Sequence, residues 1–198
     1  LDLNAIVRFG DLLDGEGEPQ LVQAVVAPGS EFIGRSIREL NFALLGPTSG
    51  LERLQAILAM AVASLCLDGL GHFVGRTERL LADELDLQIM ADGGHVSRNP
   101  RVLAELLLDL LPLREAYAGR GMEAPRALLT AIDRMMPHLR MFRHGDGSLA
   151  LFNGMGVTLP DVMATLSAYD DARSRPMEHA PYAGYDRMEA GATVVVAD

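Results

Sequence analysis

Hydrophobic residues recur every three or four positions from residue 51 onward, the spacing of one face of an α-helix. The first series ends near Asp68-Gly69 and comprises Leu51, Leu54, Ile57, Leu58, Ala61 and Leu65. A second covers residues 73–90. A third begins at Asn99-Pro100, which predicts Asn99 as the N-cap and Pro100 as the first helical residue. Further helical patterns follow Pro125 and cover residues 162–169, so most of the chain is predicted to be helical.

The two ends of the chain have β-type patterns instead. Residues 21–26 are apolar and rich in valine, which predicts a strand, and residues 36–41 predict a short helical turn. Residues 182–188 and 193–197 predict two strands near the C-terminus, and a short strand is expected near 149–152. We therefore predict a mainly α fold with short β segments at both ends. The predicted parts are 1–50, a short α/β segment, 51–173, the helical segment, and 174–198, a linker with strands.

Two related loops, residues 92–100 and 144–154, stand at the ends of predicted helices. Both combine His, Asp, Gly and Asn, residues that form tight turns and leave polar groups pointing outward. Their Asp-Gly pairs begin at Asp92 and Asp146, which are 146 − 92 = 54 positions apart. That distance is a plausible length for one repeat of a helical hairpin.

Composition narrows the function classes. The chain has 198 residues, 49% of them hydrophobic, and a formal net charge of −10 without a Lys/Arg-rich stretch. This argues against a general nucleic-acid or anionic-membrane partner. The longest apolar stretch, residues 56–67, is too short to cross a bilayer, so direct membrane insertion is not expected. No Cys/His cluster has zinc spacing and no Gly-rich phosphate loop is present, so neither a metal nor a cofactor is predicted. The single cysteine, Cys66, is expected to be a core residue, and the compartment stays open between periplasm and cytoplasm.

Three stretches, "DGGHVSRNPRVLAELLLDLLPLREAYAGRG", "AIDRMMPHLRMFRHGDGSLALFNGMG" and "GYDRMEAGATVVVAD", together resemble the bacterial heparinase II/III-like family, in order, over about residues 52–198. The resemblance implies a partial α/α toroid of antiparallel helix hairpins, followed by the start of an antiparallel β-sandwich. It also implies a polysaccharide lyase that cleaves uronic-acid-containing chains by β-elimination, with an acidic polysaccharide as partner. Apolar helix faces left exposed by missing toroid helices would favour self-association.

Lyase chemistry requires a group that neutralises the uronate carboxylate, a base, and an acid for the leaving oxygen. The loops offer His95, Asn99 and His144 as catalytic residues, and Arg98 and Asn153 as substrate-binding residues. Three of them have a structural alternative: Asn99 as the N-cap, His95 as a turn histidine, and His144 as part of a turn. His138 is expected in the core or on the surface. Ser97 and Val102 stand where many family members have an acidic residue and a tyrosine, so the chain is predicted to be inactive alone.

A second stretch, "LVQAVVAPGSEFIGRSIRELNF" at residues 21–42, resembles the start of the C-terminal ligand-binding (RCK) domain of potassium-uptake regulators. That resemblance implies an alternative function, a non-catalytic ligand-binding or regulatory module.

Overall fold

The computed structural model describes residues 6–8, 21–23, 50–156, 160–169 and 175–198. The chain divides into two compact units, residues 1–48 and 49–198. In the first unit, β1 (Ile6–Arg8) pairs antiparallel with β2 (Leu21–Gln23), and Val7 lies opposite Val22. β2 lies within the predicted strand at 21–26. The helical turn predicted at 36–41 lies outside the described residues, and the predicted three-part division of the chain stays a prediction.

Helices make up most of the described part of the second unit. They are α1 (Gly50–Cys66), α2 (Val74–Gln88), α3 (Pro100–Gly119), α4 (Arg126–Met141) and α5 (Pro160–Ala168). A 3-10 turn, Gly71–Phe73, leads into α2. The mainly α prediction is confirmed. Among the described residues, every helix is too short or too polar to cross a membrane. Cys66 is exposed at the end of α1, so its predicted place in the core is wrong.

The core is built around α3, which packs against α1, α4 and α5. Its buried leucines lie on more than one side of the helix and include Leu103, Leu106, Leu107, Leu110, Leu111 and Leu113. Each buried leucine contributes roughly 1.5–3 kcal/mol of burial free energy, so these side chains supply a large share of the free energy that holds the bundle together. The amphipathic helix α4 covers it with its apolar face, and the amphipathic helix α2 packs its own apolar face against α1 and α4.

A small antiparallel sheet packs against the helices. Its strands are β3 (His179–Ala180), β4 (Tyr185–Ala190) and β5 (Thr193–Ala197), in that order. Along β4, Tyr185 and Arg187 are buried while Asp186 and Met188 are exposed, so alternate residues face the bundle. The prediction of strands at 193–197 and within 182–188 is therefore confirmed, with the first strand displaced toward Ala190.

The two loops predicted to be related have the same backbone hydrogen bonds, at the offset that separates Asp92 from Asp146. In the first, Met90 N–H donates to Gly94 O (2.7 Å) and Gly93 N–H to Met90 O (2.9 Å). In the second, His144 N–H donates to Ser148 O (2.8 Å) and Gly147 N–H donates to His144 O (3.0 Å). Gly93 and Gly147 have matching φ angles of 88° and 87°. The turn that follows α2 and the turn that follows α4 thus share one hydrogen-bond geometry.

The strand predicted near residues 149–152 is reduced to a single β-bridge between Arg143 and Leu149. The first loop has the equivalent bridge between Ile89 and His95. Among the described residues, neither bridge extends into a longer ladder.

Candidate functional site

Asp92 is the centre of a buried polar cluster beyond the end of α2. Its Oδ1 accepts a hydrogen bond from the backbone N–H of Gly94 at 3.1 Å, which shapes the loop. Its Oδ2 accepts two more, from the N–H groups of Tyr182 (2.8 Å) and Ala183 (2.7 Å). Tyr182 and Ala183 lie in the turn between β3 and β4. The Asp92 carboxylate therefore holds the β3–β4 turn, and with it the sheet, against the helices. It does so through charge-assisted hydrogen bonds, which are about twice as strong as neutral ones.

The two glycines after Asp92 allow this close packing. A Cβ atom on Gly93 would lie 2.0 Å from the carbonyl oxygen of Arg134, in the backbone of α4. A Cβ on Gly94 would lie 2.8 Å from the Cβ of Ala183. Both distances are far below van der Waals contact, so the loop can reach α4 and the β3–β4 turn only because it lacks side chains here.

His138, on α4, also binds the loop that contains Asp92. Its Nδ1 donates to the carbonyl oxygen of Asp92 at 3.0 Å, and the ring packs edge-on against Phe142, with centroids 5.4 Å apart. Burial lowers the pKa of His138, and the nearby Asp92 opposes part of that shift. His138 was predicted to lie in the core or on the surface; it is buried.

His95 links the loop to α2 and α1. Its Nδ1 accepts from the backbone N–H of Ser97 at 3.1 Å, and its Nε2 lies 3.1 Å from Oε1 of Gln88. The amide nitrogen of Gln88 donates to Glu84 at 2.7 Å, and Glu84 pairs with Arg53. Since Gln88 donates through its nitrogen, its oxygen accepts and Nε2 of His95 carries the proton. Burial lowers the pKa of His95, which agrees with this neutral ring.

These two buried histidines predict loss of stability in mild acid. Their pKa values are lowered in the folded state, so at pH values below about 6.5 the unfolded chain binds more protons than the folded one. The free energy of unfolding should therefore fall as pH drops from 7.5 to 5.5, by at most about 1.4 kcal/mol per pH unit for each histidine. Urea denaturation at several pH values measures this slope. His95→Gln should make it shallower, with His72→Gln, at an exposed histidine, as control; a flat profile for the unmodified chain would contradict the prediction.

Arg98 and Asn153 meet at Tyr185. The Tyr185 hydroxyl donates to the carbonyl oxygen of Arg98 at 2.6 Å and accepts from Nδ2 of Asn153, 2.7 Å away. The Arg98 guanidinium donates through Nε to the Ala183 carbonyl at 2.7 Å, pairs with Asp198, and lies over the Tyr185 ring, 5.0 Å from its centroid. Arg98 and Asn153 have φ angles of 55° and 49°, in the left-handed region, which is uncommon for arginine and more readily adopted by asparagine.

Asn99 caps α3, as one of its two interpretations predicted. Its Oδ1 accepts from the backbone N–H of Arg101 at 2.9 Å, and its Nδ2 donates to the carbonyl oxygen of Asn153 at 3.1 Å. The cap thereby joins the start of α3 to the second loop.

The structure brings together four of the five predicted site residues, His95, Arg98, Asn99 and Asn153, and places His144 in the second turn. There the His144 backbone closes the turn with Ser148, and Asp146 Oδ1 accepts from the Ser148 N–H at 2.9 Å. Each of the four has protein partners; a role in ligand binding stays a prediction for all five.

Tyr185 of this cluster, and Arg187 two residues farther along β4, were not predicted as functional residues from the sequence. Arg187 is buried, and its Nη1 donates to the carbonyl oxygens of Met141 (2.6 Å) and Arg143 (2.7 Å), which caps the end of α4. The only local signal is that both alternate with exposed residues along β4. Asp92 was visible as a turn residue, but its bonds to residues 90 and 91 positions away were not.

The cluster around Tyr185 and the first loop contains one small cavity. Its cavity is about 10 Å³ and is lined by His95, Arg98, Asn99, Pro100, Leu103, His138, Phe142 and Tyr185. A volume of this size holds about one water molecule. Within the described ranges, no group of three or more His, Cys, Asp or Glu side chains is placed to hold a metal ion.

Comparison with known proteins found a curated relative, FtsZ-localized protein C of Caulobacter vibrioides. The two are 42% identical over 167 residues, which is 83% of this chain and 28% of that protein. The chain therefore spans little more than a quarter of that relative's length. No protein-family model matches the chain, and no solved structure matches it. The resemblances to the heparinase II/III-like family and to the RCK domain stay predictions.

This relative overturns the predicted function. The polysaccharide lyase, the alternative regulatory module and the acidic-polysaccharide partner are wrong, because a relative covering most of this chain carries a name that refers to FtsZ, a protein. The geometry gives the physical reason for the error. His95, Arg98, Asn99 and Asn153 are a residue set suited to a sugar carboxylate, but the same groups also serve to join loops to helices and strands.

Proposed function

We propose that this chain is part of a cell-division-associated protein and that it associates with FtsZ. The observation that carries the proposal is the 42% identity with FtsZ-localized protein C over 83% of the chain. The chain spans 28% of the relative, so a contact with FtsZ through this segment is itself part of the proposal.

The internal construction of the second unit favours a protein-binding role. The buried carboxylate of Asp92 hydrogen-bonds the sheet to the helices. The cavity beside His95, Arg98 and Asn99, about 10 Å³, has no room for a metabolite-sized ligand. Small-molecule sites typically enclose about 300–1,000 Å³. Recognition of another protein needs surface groups instead, and a rigid scaffold that holds them reduces the entropy cost of binding.

Fluorescence anisotropy tests the association directly. The chain has one cysteine, Cys66, which is exposed at the end of α1 and accepts a maleimide dye. Titration with purified FtsZ should raise the anisotropy to saturation, and unlabelled chain should reverse the rise. Serum albumin serves as the control titrant. The same anisotropy for FtsZ as for albumin would contradict the proposal.

We also propose the finer fold prediction, that the helix hairpins belong to a partial α/α toroid. The turns at residues 90–94 and 144–148 have the same backbone hydrogen bonds at the offset from Asp92 to Asp146, which supports a repeating array. An experimental structure in which one rotation superposes the α1–α2 hairpin on the α3–α4 hairpin, the two pairs of consecutive helices that pack together, would support the toroid. Unrelated hairpin orientations would contradict it.

A further inference from the structure

The first copy of the repeated loop shows what its aspartate binds. Asp92 uses Oδ1 to shape its own loop and Oδ2 to hold two consecutive backbone N–H groups, those of Tyr182 and Ala183. These belong to a tight turn, which is closed by a hydrogen bond from Gly184 N–H to Ala180 O at 2.7 Å. The aspartate in this position thus acts as a receptor for the backbone of a turn.

The second copy presents the same acceptor on the surface. Asp146 occupies the position equivalent to Asp92, and its Oδ1 accepts from the Ser148 N–H at 2.9 Å and from the Ser148 hydroxyl at 2.7 Å. Both bonds go to Oδ1, and the side chain is exposed to solvent. The Ser148 hydroxyl and N–H lower the pKa of Asp146, so it offers a full negative charge at neutral pH. The glycine before Ser148, Gly147, has no backbone atom near its open side, unlike Gly93.

We infer that the loop at residues 144–148 is a docking site for a tight turn of a partner protein, whose two consecutive backbone N–H groups bind Asp146 Oδ2. The inference rests on the proposed function for the identity of that partner, FtsZ. It rests on the first loop for the chemistry, because there the same atoms hold such a turn. Leu151, 56% exposed beside the loop, supplies an apolar contact for the bound turn.

The two loops differ at one position, and this difference limits which residues the bound turn of the partner can have. The first loop has Gly94 where the second has Ser148, and a Cβ at Gly94 would lie 2.8 Å from the Cβ of Ala183. A turn bound by the second loop must therefore lack a side chain at the position of Ala183. We expect a glycine as the second of the two N–H donors.

A peptide derived from this chain's own turn tests the site without FtsZ. The probe is residues 178–188 with Ala183→Gly, cyclised to keep the turn. Added to the ¹⁵N-labelled chain, it should shift the amide signals of Gly147 and Ser148. Asp146→Asn should abolish these shifts: Asn keeps the Oδ1 acceptor for Ser148 but places an NH₂ donor where the two N–H groups must bind. Asp133→Asn, at an exposed carboxylate of α4, is the matched control and should leave them unchanged. An unmodified chain whose loop signals do not respond to the peptide overturns the inference.

The anisotropy titration then separates this inference from the proposed function. Asp146→Asn should weaken FtsZ binding at least about tenfold, the effect of losing a charge-assisted hydrogen-bond pair, while Asp133→Asn binds normally. If both variants bind FtsZ as the unmodified chain does, the proposed function stands and the loop is not the contact. If the unmodified chain fails to bind FtsZ but the peptide shifts depend on Asp146, the proposed function fails and the loop remains a docking site.

Discussion

Replacing Gly93 by alanine should destabilise the second unit by at least about 3 kcal/mol, enough to unfold a marginally stable domain. The new Cβ would lie 2.0 Å from the carbonyl oxygen and 2.4 Å from the carbonyl carbon of Arg134. Both are backbone atoms of α4, so no side-chain rotation can relieve the clash. The loop must move away from α4, and that movement also pulls Asp92 away from the β3–β4 turn.

Gly147→Ala is the matched control, because the repeat gives it almost the same φ angle, 87° against 88°. Its new Cβ would meet only the flexible Arg143 side chain, 3.6 Å away. It should therefore cost only the backbone penalty of alanine in the left-handed region, about 1–2 kcal/mol. Urea denaturation of both variants gives the two free energies, and their difference isolates the clash with α4. Equal losses in the two variants would show that the first loop does not pack against α4 as described.

The helices and their boundaries were predictable because their signals are local. The spacing of Leu54, Ile57, Leu58 and Ala61 predicted α1, and Asn99-Pro100 predicted the start of α3, where Asn99 does cap the helix. The relation between the two loops was also predictable, since Asp92 and Asp146 begin turns of similar sequence. Turn chemistry depends on neighbouring residues, and those are visible in any sequence.

The partners of the loop residues were not predictable, because they lie far away in the chain. Tyr185 bonds to the Arg98 carbonyl across 87 residues, and Asp92 reaches Ala183 across 91. Periodicity specifies which face of an element is buried, but not which element covers it. The same limitation explains the wrong functional prediction. His, Arg and Asn in a Gly-rich loop can form a sugar-binding site, and they can equally form hydrogen bonds that hold a sheet against helices.

Replacing Asp92 by asparagine should weaken the attachment of the β3–β4 turn, and so of the sheet, to the helices. Asn can accept from Gly94 N–H only if its NH₂ group faces the N–H groups of Tyr182 and Ala183, which places donor against donor in a buried site. Turning the amide over satisfies the β3–β4 turn but leaves NH₂ against Gly94. Each orientation leaves at least one buried donor without an acceptor, at a cost of about 1–3 kcal/mol, and removes the charge from the remaining bonds.

We expect Asp92→Asn to lower the free energy of unfolding by about 3 kcal/mol. The amide hydrogens of Tyr182 and Ala183 should exchange with solvent much faster, because they lose their acceptor. Asp146→Asn makes the same change in the second loop, where the carboxylate is exposed and its Oδ1 contacts with Ser148 can persist. It should leave both the stability and these exchange rates unchanged. Exchange at Tyr182 and Ala183 that stays slow in Asp92→Asn would mean that the turn is held to the helices without this carboxylate, by contacts such as Arg98 Nε to Ala183 O and Arg187 to the end of α4.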